Sequence, residues 1–517
     1  MLRWRLLFLR FIEITMTVQN PLLAFCGRHK SWLVPGLLLA MSLLVYLAGL
    51  QYPKSMFWDE NYHVVSAQKH VDGMMYMEPH PPLGKMLLGL SEAVFNPNEN
   101  VDLSSLLKTD YLKGSDMPKG MEFWAYRLPS ALMMALSVWF LYQLLFRIIR
   151  YRPVAFVFSL FVIFDNAMVL HSRAAMLEGV QFFFILMSIW YFVRTVTSGV
   201  VISIKHYLVL GLMIGLVTAV KLNGLVLTLL YGMLLLEDKG KDLLKGAYLA
   251  CLERVVLSAV TFFAGLAGVF CFVFYLHIGM GTHVEPTKKY KASPEYLTSL
   301  KNNGGFSFTT FRLGFKDNLR YISEYADGVP RLDICKETEN GSYYAKWPFG
   351  GKGINYRWSK NNVDGVTKVS YSYLVGNPLI WLTVVLGILV SISLILGRFI
   401  FDLPIKDERL FMYILYFTGM YLSYMIAIAQ IDRVMYLYHY FVPLLFGIIN
   451  AALLFAYVFK EPLQQGSRLT WVNLGALGVL VVAMFAYFSP FTFGIPITES
   501  QFELRNWFSL WDIEVVR

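Results

Sequence analysis

The feature that most restricts this chain is a series of apolar segments, each close to the length that crosses a bilayer. Roughly 20 apolar residues in a helix span the hydrocarbon core, where every backbone N–H and C=O must find an internal partner. Such segments fall near 32–50, 125–146, 153–170, 175–193, 207–221, 223–236, 255–277, 373–396, 410–430, 436–458 and 470–488. The expected fold is therefore all-α, a polytopic membrane protein of about 11 transmembrane helices. The pair around 207–236 is short and interrupted by Lys221-Leu222-Asn223-Gly224. Composition agrees, with 56% hydrophobic and 15% charged residues, against roughly 25% charged in soluble domains. The net charge of +10 would suit nucleic acid in a soluble chain. Here basic cytoplasmic loops account for it, and no nucleic-acid partner is expected.

Placing the N-terminus in the cytoplasm puts Arg147, Arg150, Arg152, Arg194, Lys205, Lys239, Lys241, Arg398, Lys406 and Lys460 in short inside connections. The first outside loop is richer in Asp and Glu than in Lys, so the orientation reads as N-inside and C-outside. Five regions follow. Residues 1–31 form a basic amphipathic helix on the cytoplasmic membrane surface. Residues 32–277 form a transmembrane module of about seven helices that includes the external loop 51–124. Residues 278–372 are an external, irregular or partly β subdomain, and 373–488 a second module of about four helices. Residues 489–517 form a tail whose Trp507, Phe508 and Trp511 suit the outer interface. Within the first loop, Leu83, Met86, Leu87, Leu90 and Val94 mark an interfacial amphipathic helix. Of Cys26, Cys251, Cys271 and Cys335, only the last is external, so no internal disulfide is expected.

Ionisable side chains at membrane depth are costly and mark function. On this topology Asp59 and Glu60, Asp165, His171, Arg173, Glu178, Lys221, Arg433 and His439 all lie toward the outer ends of their spans. One outward polar cavity with acids and cations suits an enzyme better than a channel, which would need charge throughout its depth. Plainer readings stand beside this one. Arg173 and Glu178 could form one salt bridge, Lys221 could snorkel to the interface, and Asp165-Asn166 could be a buried hydrogen-bonding pair. The cluster Tyr436, Tyr438, His439 and Tyr440 could be an aromatic belt.

The stretches "FWDENYH" (57–63) and "HPPLGK" (80–85) together resemble the signature of the protein O-mannosyltransferases. The likeness continues in order through "FDNAMVLHSRAAMLEG", "GLVTAVKLNGL", "YLVGNPLIW" and "YHYFVPLLF". It departs at Asn61-Tyr62-His63, His171 and Ala174-Ala175, and 278–372 is too short for the family's β-trefoil domain.

The resemblance implies a GT-C glycosyltransferase that moves mannose from a polyprenyl monophosphate to Ser or Thr of an exported polypeptide, with inversion, on the extracytoplasmic side. Asp59 is then the base that activates the acceptor hydroxyl, with Glu60 orienting it or binding acceptor. Arg173 and Lys221, with Arg433 as a third, stabilise the departing phosphate. His63, His80, Lys85, Glu178, Tyr438 and His439 shape the loop or contact sugar and acceptor. No metal or other cofactor is required. The partners are the lipid donor, the polypeptide acceptor and membrane lipids, with dimerisation left open. The membrane is a bacterial cytoplasmic membrane, or that of the endoplasmic reticulum in a eukaryote. The rival readings are a same-class transferase acting on a lipid or glycan acceptor, as in aminoarabinose transfer to lipid A, and a transporter or flippase.

Overall fold

The computed structural model describes residues 21–516 except 247, 337, 338 and 364. The amphipathic helix expected near the N-terminus lies outside the described residues. Each expected apolar segment is helical. The first module contains α1 (Pro21–Leu47), α2 (Glu60–Val71), α3 (Leu83–Phe95), α4 (Trp124–Ile149), α5 (Arg152–Ile163) and α6 (Asn166–Ser172). It continues with α7 (Glu178–Thr197), α8 (Ile204–Val220), α9 (Leu229–Leu244) and α10 (Tyr248–Met280). Then come α11 (Pro294–Asn303), α12 (Phe308–Gly328), the strands β1 (Ile354–Val363) and β2 (Val366–Leu374), and α13 (Pro378–Phe401), α14 (Glu408–Ala429), α15 (Phe441–Val458) and α16 (Arg468–Phe493). Among the described residues seven helices are long and apolar enough to cross a membrane, and the α5–α6 pair, bent by 57°, makes an eighth candidate. The apolar parts of α1 and α8 are shorter.

Local chemistry sets these boundaries. Pro153 opens α5, and Asn377 caps α13 ahead of Pro378, accepting from the Leu379 N–H. Asp407 caps α14 by accepting from the Leu410 N–H at 2.9 Å. The break between α5 and α6 would strand polar backbone inside the bundle, and Asp165 prevents this. Its carboxylate accepts from the N–H groups of Met168 (2.9 Å) and Asn377 (3.1 Å) and from Trp381 Nε1 (2.7 Å). Asp165 is thus the buried hydrogen-bonding residue of the plainer reading.

α8 and α10 pack where glycines let backbones touch. A Cβ on Gly211 would sit 2.1 Å from the Phe262 carbonyl oxygen, and one on Gly265 would sit 2.9 Å from that of Leu208. Small residues at such seams allow close van der Waals contact in lipid. α3 is amphipathic as expected: Lys85, Leu88 and Glu92 are buried, while Leu90, Val94 and Phe95 face outward.

The segment after α10 holds more helix than the sequence suggested, because α11, through Tyr296 and Leu300, and α12, through Phe311 and Phe315, join one apolar cluster with Ile278. β1 and β2 form an antiparallel hairpin with a bulge between Asn355 and Arg357. The tail departs from its expected role. Trp511 is 2% exposed and packs on Phe488, leaving Trp507 and Phe508 as its half-exposed aromatics. The Trp511 carbonyl accepts from the Gly353 N–H at 2.6 Å, so the tail docks on protein as well as at a surface.

Gly211→Ala is expected to cost about 1–3 kcal/mol through overpacking. Gly232→Ala, where a Cβ meets nothing within 4 Å, should be neutral or slightly stabilising. Thermal unfolding of both variants in one detergent checks the pair.

Candidate active site

The chain leaves α1 and reaches α2 through a loop whose last residue, Asp59, caps α2. Just before it, Trp58 has φ +54°, a left-handed conformation rare for a bulky side chain. Such a residue costs about 1–3 kcal/mol and persists only where its surroundings over-determine it. Here they do. The Trp58 indole stacks on Tyr356 (5.1 Å, 17°) and meets Tyr436 edge-on (5.4 Å). The bulge in β1 is what turns Tyr356 inward.

The stronger constraint is a buried ion pair. Arg127, at the start of α4, donates from Nε to Glu60 Oε1 (2.7 Å) and from Nη2 to Glu60 Oε2 (2.9 Å). It also donates to the carbonyls of Leu50, Pro53 and Ser55 at 3.2, 2.9 and 3.0 Å. Glu60 in turn accepts from the N–H groups of Phe57 (3.2 Å) and Ala175 (2.8 Å). Both side chains are almost fully buried, at 1% and 0% exposure. Glu60 therefore faces away from the cavity and orients the turn that presents Asp59.

Asp59 faces a cavity of about 960 Å³ at the end of the bundle that carries the long loops. The Tyr438 hydroxyl donates to its Oδ2 at 3.2 Å. Burial raises the Asp59 carboxyl above its ordinary value, an effect that the positive charge of Lys221 opposes. A carboxylate with raised basicity is what a general base needs.

Opposite lies Lys221, where α8 ends. Its Nζ donates to Glu178 Oε1 at 2.5 Å and sits 5.7 Å from the Tyr438 ring centre. Glu178 Oε2 pairs with His171 Nε2 at 2.7 Å, and His171 Nδ1 pairs with the Tyr356 hydroxyl at 2.6 Å. The break that exposes Lys221 is itself held. Gln181 donates to the Lys221 carbonyl (3.2 Å) and to Asn223 Oδ1 (2.7 Å), and Asn223 donates to the Tyr424 hydroxyl (3.0 Å).

Of the eleven residues singled out from sequence, nine line this cavity: Asp59, His63, His80, Lys85, Glu178, Lys221, Arg433, Tyr438 and His439. Glu60 and Arg173 do not. Arg173 instead donates to the carbonyls of Val45 and Gly49, both at 3.2 Å, and stacks over Phe493. Its guanidinium is occupied tying α6 to the end of α1, so the expected role at a phosphate does not fit its position. Arg433 makes no hydrogen bond or ion pair among the described residues and lines the cavity with its charge available.

Burial lowers His63 well below its ordinary value and His80 to about 3, with Lys85 and Lys221 respectively adding to the effect. Both rings are neutral at pH 7. His63 Nδ1 pairs with the Ala175 carbonyl at 2.9 Å, and Lys85 pairs with Glu78. Glu78, Asp110, Tyr62, Asn223 and Tyr424 also line the cavity and were not singled out from sequence. Tyr62 lies inside the first motif stretch and Glu78 just before the second, so proximity to them was the available signal. Asn223 lies in the interruption beside Lys221, and Tyr424 carried no signal. Among the described residues no three His, Cys, Asp or Glu side chains converge as a metal site.

A multi-pass helical bundle with an accessible carboxyl, two cations and neutral imidazoles in one terminal cavity defines a polytopic membrane protein with an enzyme-like site. The description "Dolichyl-phosphate-mannose-protein mannosyltransferase" matches residues 36–239, and "C-terminal four TMM region of protein-O-mannosyltransferase" matches 333–511. The chain belongs to the protein O-mannosyltransferase family. It is 25% identical to protein O-mannosyl-transferase 2 of Drosophila melanogaster over 47% of this chain and 32% of that protein. It is also 25% identical to dolichyl-phosphate-mannose–protein mannosyltransferase 1 of Saccharomyces cerevisiae, over 53% of this chain and 33% of that one. These matches thus span about a third of the relatives' own length. A solved S. cerevisiae protein O-mannosyltransferase Pmt1–Pmt2 complex bound to the sugar donor has the same fold, with a TM-score of 0.76 at 16% identity. That likeness covers 94% of this chain and 93% of the other.

Two variants test the site's energetics. Because Asp59 is raised in the folded protein, its proton favours folding, and that contribution fades as pH rises through the folded value. Asp59→Asn is therefore expected to unfold at a higher temperature than wild type at pH 7, the gap closing as pH falls. Arg127→Met leaves Glu60 buried and unpaired, and should cost about 3–5 kcal/mol by thermal or denaturant unfolding.

Proposed function

We propose that this protein transfers mannose from a polyprenyl monophosphate to Ser or Thr hydroxyls of a polypeptide, on the extracytoplasmic side of the membrane and with inversion. The observation that carries the reading is that one cavity is lined by Asp59 and by the cations Lys221 and Arg433. In the reaction the acceptor oxygen attacks the anomeric carbon and its proton passes to the Asp59 carboxylate. The bond from that carbon to the phosphate oxygen breaks, and its electrons stay on the phosphate.

Lys221 has three donors. Glu178 takes one at 2.5 Å, and the others can meet phosphate oxygens. Arg433 adds a planar fork suited to phosphate. With these charges the reaction needs no metal. Single displacement is favoured because Glu178 and Glu78, which line the cavity with Asp59, are occupied. Glu178 is held by Lys221 and His171, and Glu78 by Lys85 and Ser66. Neither is free to act as a second nucleophile. Tyr438 and His80 can then contact sugar or acceptor as neutral groups.

The cytoplasmic N-terminus and external C-terminus rest on the basic residues at the opposite bundle end, such as Arg147 and Arg409, where Arg409 donates to the Arg147 carbonyl at 3.0 Å.

The test is transfer of radiolabelled mannose from polyprenyl-phosphate-mannose to a Ser/Thr-rich peptide in membranes. Wild type is expected to transfer, and Asp59→Asn to fall by roughly 10²–10⁴-fold, the range of general-base catalysis. Equal rates would remove Asp59 from the mechanism. Absence of transfer by a folded wild type, with transfer to a lipid acceptor instead, would replace the polypeptide reading.

A further inference from the structure

α11 and α12 are fastened to the C-terminal end of α10. The turn between them, Gly304-Gly305-Phe306, lies on Gly279. A Cβ on Gly305 would sit 2.3 Å from the Gly279 carbonyl oxygen, and one on Gly279 would sit 2.3 Å from the Phe306 ring. The Tyr275 hydroxyl donates to the Phe306 carbonyl at 2.9 Å. Phe311 then meets Tyr275 at 5.6 Å, and Phe315 meets Phe274 at 5.3 Å and Phe270 at 6.4 Å. The first half of α12 thus lies against the last three turns of α10.

Those turns reach the bilayer surface. α10 has 33 residues, about 50 Å at 1.5 Å per residue, against a hydrocarbon core of roughly 30 Å. Its apolar window is only 17% buried, so it stands at the rim of the bundle against lipid. Its end therefore extends to headgroup level, and α12 is held there with it.

The sequence of α12 suits that place. Phe308, Phe311, Phe315, Leu319 and Ile322 follow at steps of three and four, which puts them on one face. Phe308 is 76% exposed and Leu319 41%, and Phe306 just before the helix is 53% exposed. Arg312 and Lys316, four residues apart, run along the flank of this stripe. Both are exposed, and neither makes a hydrogen bond or ion pair among the described residues. The nearby acids are taken, Asp317 by Arg320 at 3.2 Å and Glu324 by Lys291 at 2.7 Å. Exposed phenylalanines beside unpaired cations are the composition of a helix that lies in a membrane interface and attracts anionic lipid.

We propose that α12 lies in the leaflet at the cavity end of the bundle, and that Arg312 and Lys316 bind the phosphates of anionic phospholipids there. Its exposed phenylalanines sit among the acyl chains. The lipid donor also carries a phosphate, but Arg312 and Lys316 are not in the lining of the Asp59 cavity. The second half of the same helix gives Tyr321, Ile322, Tyr325 and Ala326 to that lining. One rigid element therefore joins the bilayer surface to a wall of the site.

The experiment uses the full chain in phosphatidylcholine vesicles holding a small, equal fraction of one of two photoactivatable lipids. One is a phosphatidylglycerol and the other a phosphatidylcholine, each with a diazirine in its acyl chain, and cross-linked peptides are mapped by mass spectrometry. Both lipids are expected to label 306–319, phosphatidylglycerol more strongly by about fivefold for each cation. Arg312→Gln combined with Lys316→Gln should bring phosphatidylglycerol labelling of α12 down to the phosphatidylcholine level. Unchanged labelling of α13 and α16 shows that this variant is folded. An α12 labelled by neither lipid would lie clear of the bilayer or under a second copy, and would overturn the placement. Equal labelling by the two lipids in wild type, or a preference that the double variant keeps, would overturn the headgroup site. So would loss of the phosphatidylglycerol label from α12 on adding an equal amount of polyprenyl-phosphate-mannose, which would assign the cations to the donor.

Discussion

The Arg127–Glu60 pair is the interaction on which the site depends. A buried ion pair gains little net stability, since desolvation offsets most of the attraction, but losing one partner is severe. What the pair supplies here is placement. One guanidinium gathers three loop carbonyls and a carboxylate, and that carboxylate gathers the Phe57 and Ala175 N–H groups. The loop before α2, the starts of α2 and α4, and the stretch between α6 and α7 are thereby fixed relative to one another around a residue in a left-handed conformation. Asp59, with its single hydroxyl partner, is left as the accessible member of the acidic pair.

The two adjacent acids thus divide their work by direction. Consecutive residues at a helix start point to different sides, so Glu60 turns into protein and Asp59 into the cavity. The cation side is built on the same economy. Lys221 is presented by an interruption in a helical run, and the polar groups that the interruption frees are absorbed by Gln181, Asn223 and Tyr424. Irregular backbone is tolerated at this depth because it lines a polar cavity. His171, Glu178 and Lys221 then form a chain that ends on Tyr356 of the hairpin, so an extramembrane element bears directly on the cation.

Much of this was legible in the sequence. Apolar length located the long helices of the bundle, because bilayer thickness fixes it. The depth of the ionisable residues gathered most of the site, since charges at membrane level must converge on something polar. Arg173 shows where such reasoning stops. Depth says that a charge needs partners, not which ones, and nearby free carbonyls at the end of α1 satisfy this guanidinium. Arg127 escaped notice for the opposite reason. It sits at a helix start where a basic residue looks ordinary, and its partner is 67 residues away in sequence. The packing of α11 and α12 was not legible because short amphipathic stretches between spans carry no length signal.

The separation of Asp59 from Tyr438 also has a bearing on biosynthesis. Their hydrogen bond closes across 379 residues, whereas the clamp that shapes the Asp59 turn closes across 67. During synthesis the Arg127–Glu60 pair can close while most of the chain has yet to be made. The wall that completes the Asp59 pocket arrives only with the last third of the polypeptide. An incompletely inserted chain therefore holds Asp59 in an unfinished cavity, without the Tyr438 hydroxyl that donates to it. The order of the sequence thus delays assembly of the reactive centre until membrane insertion is nearly complete.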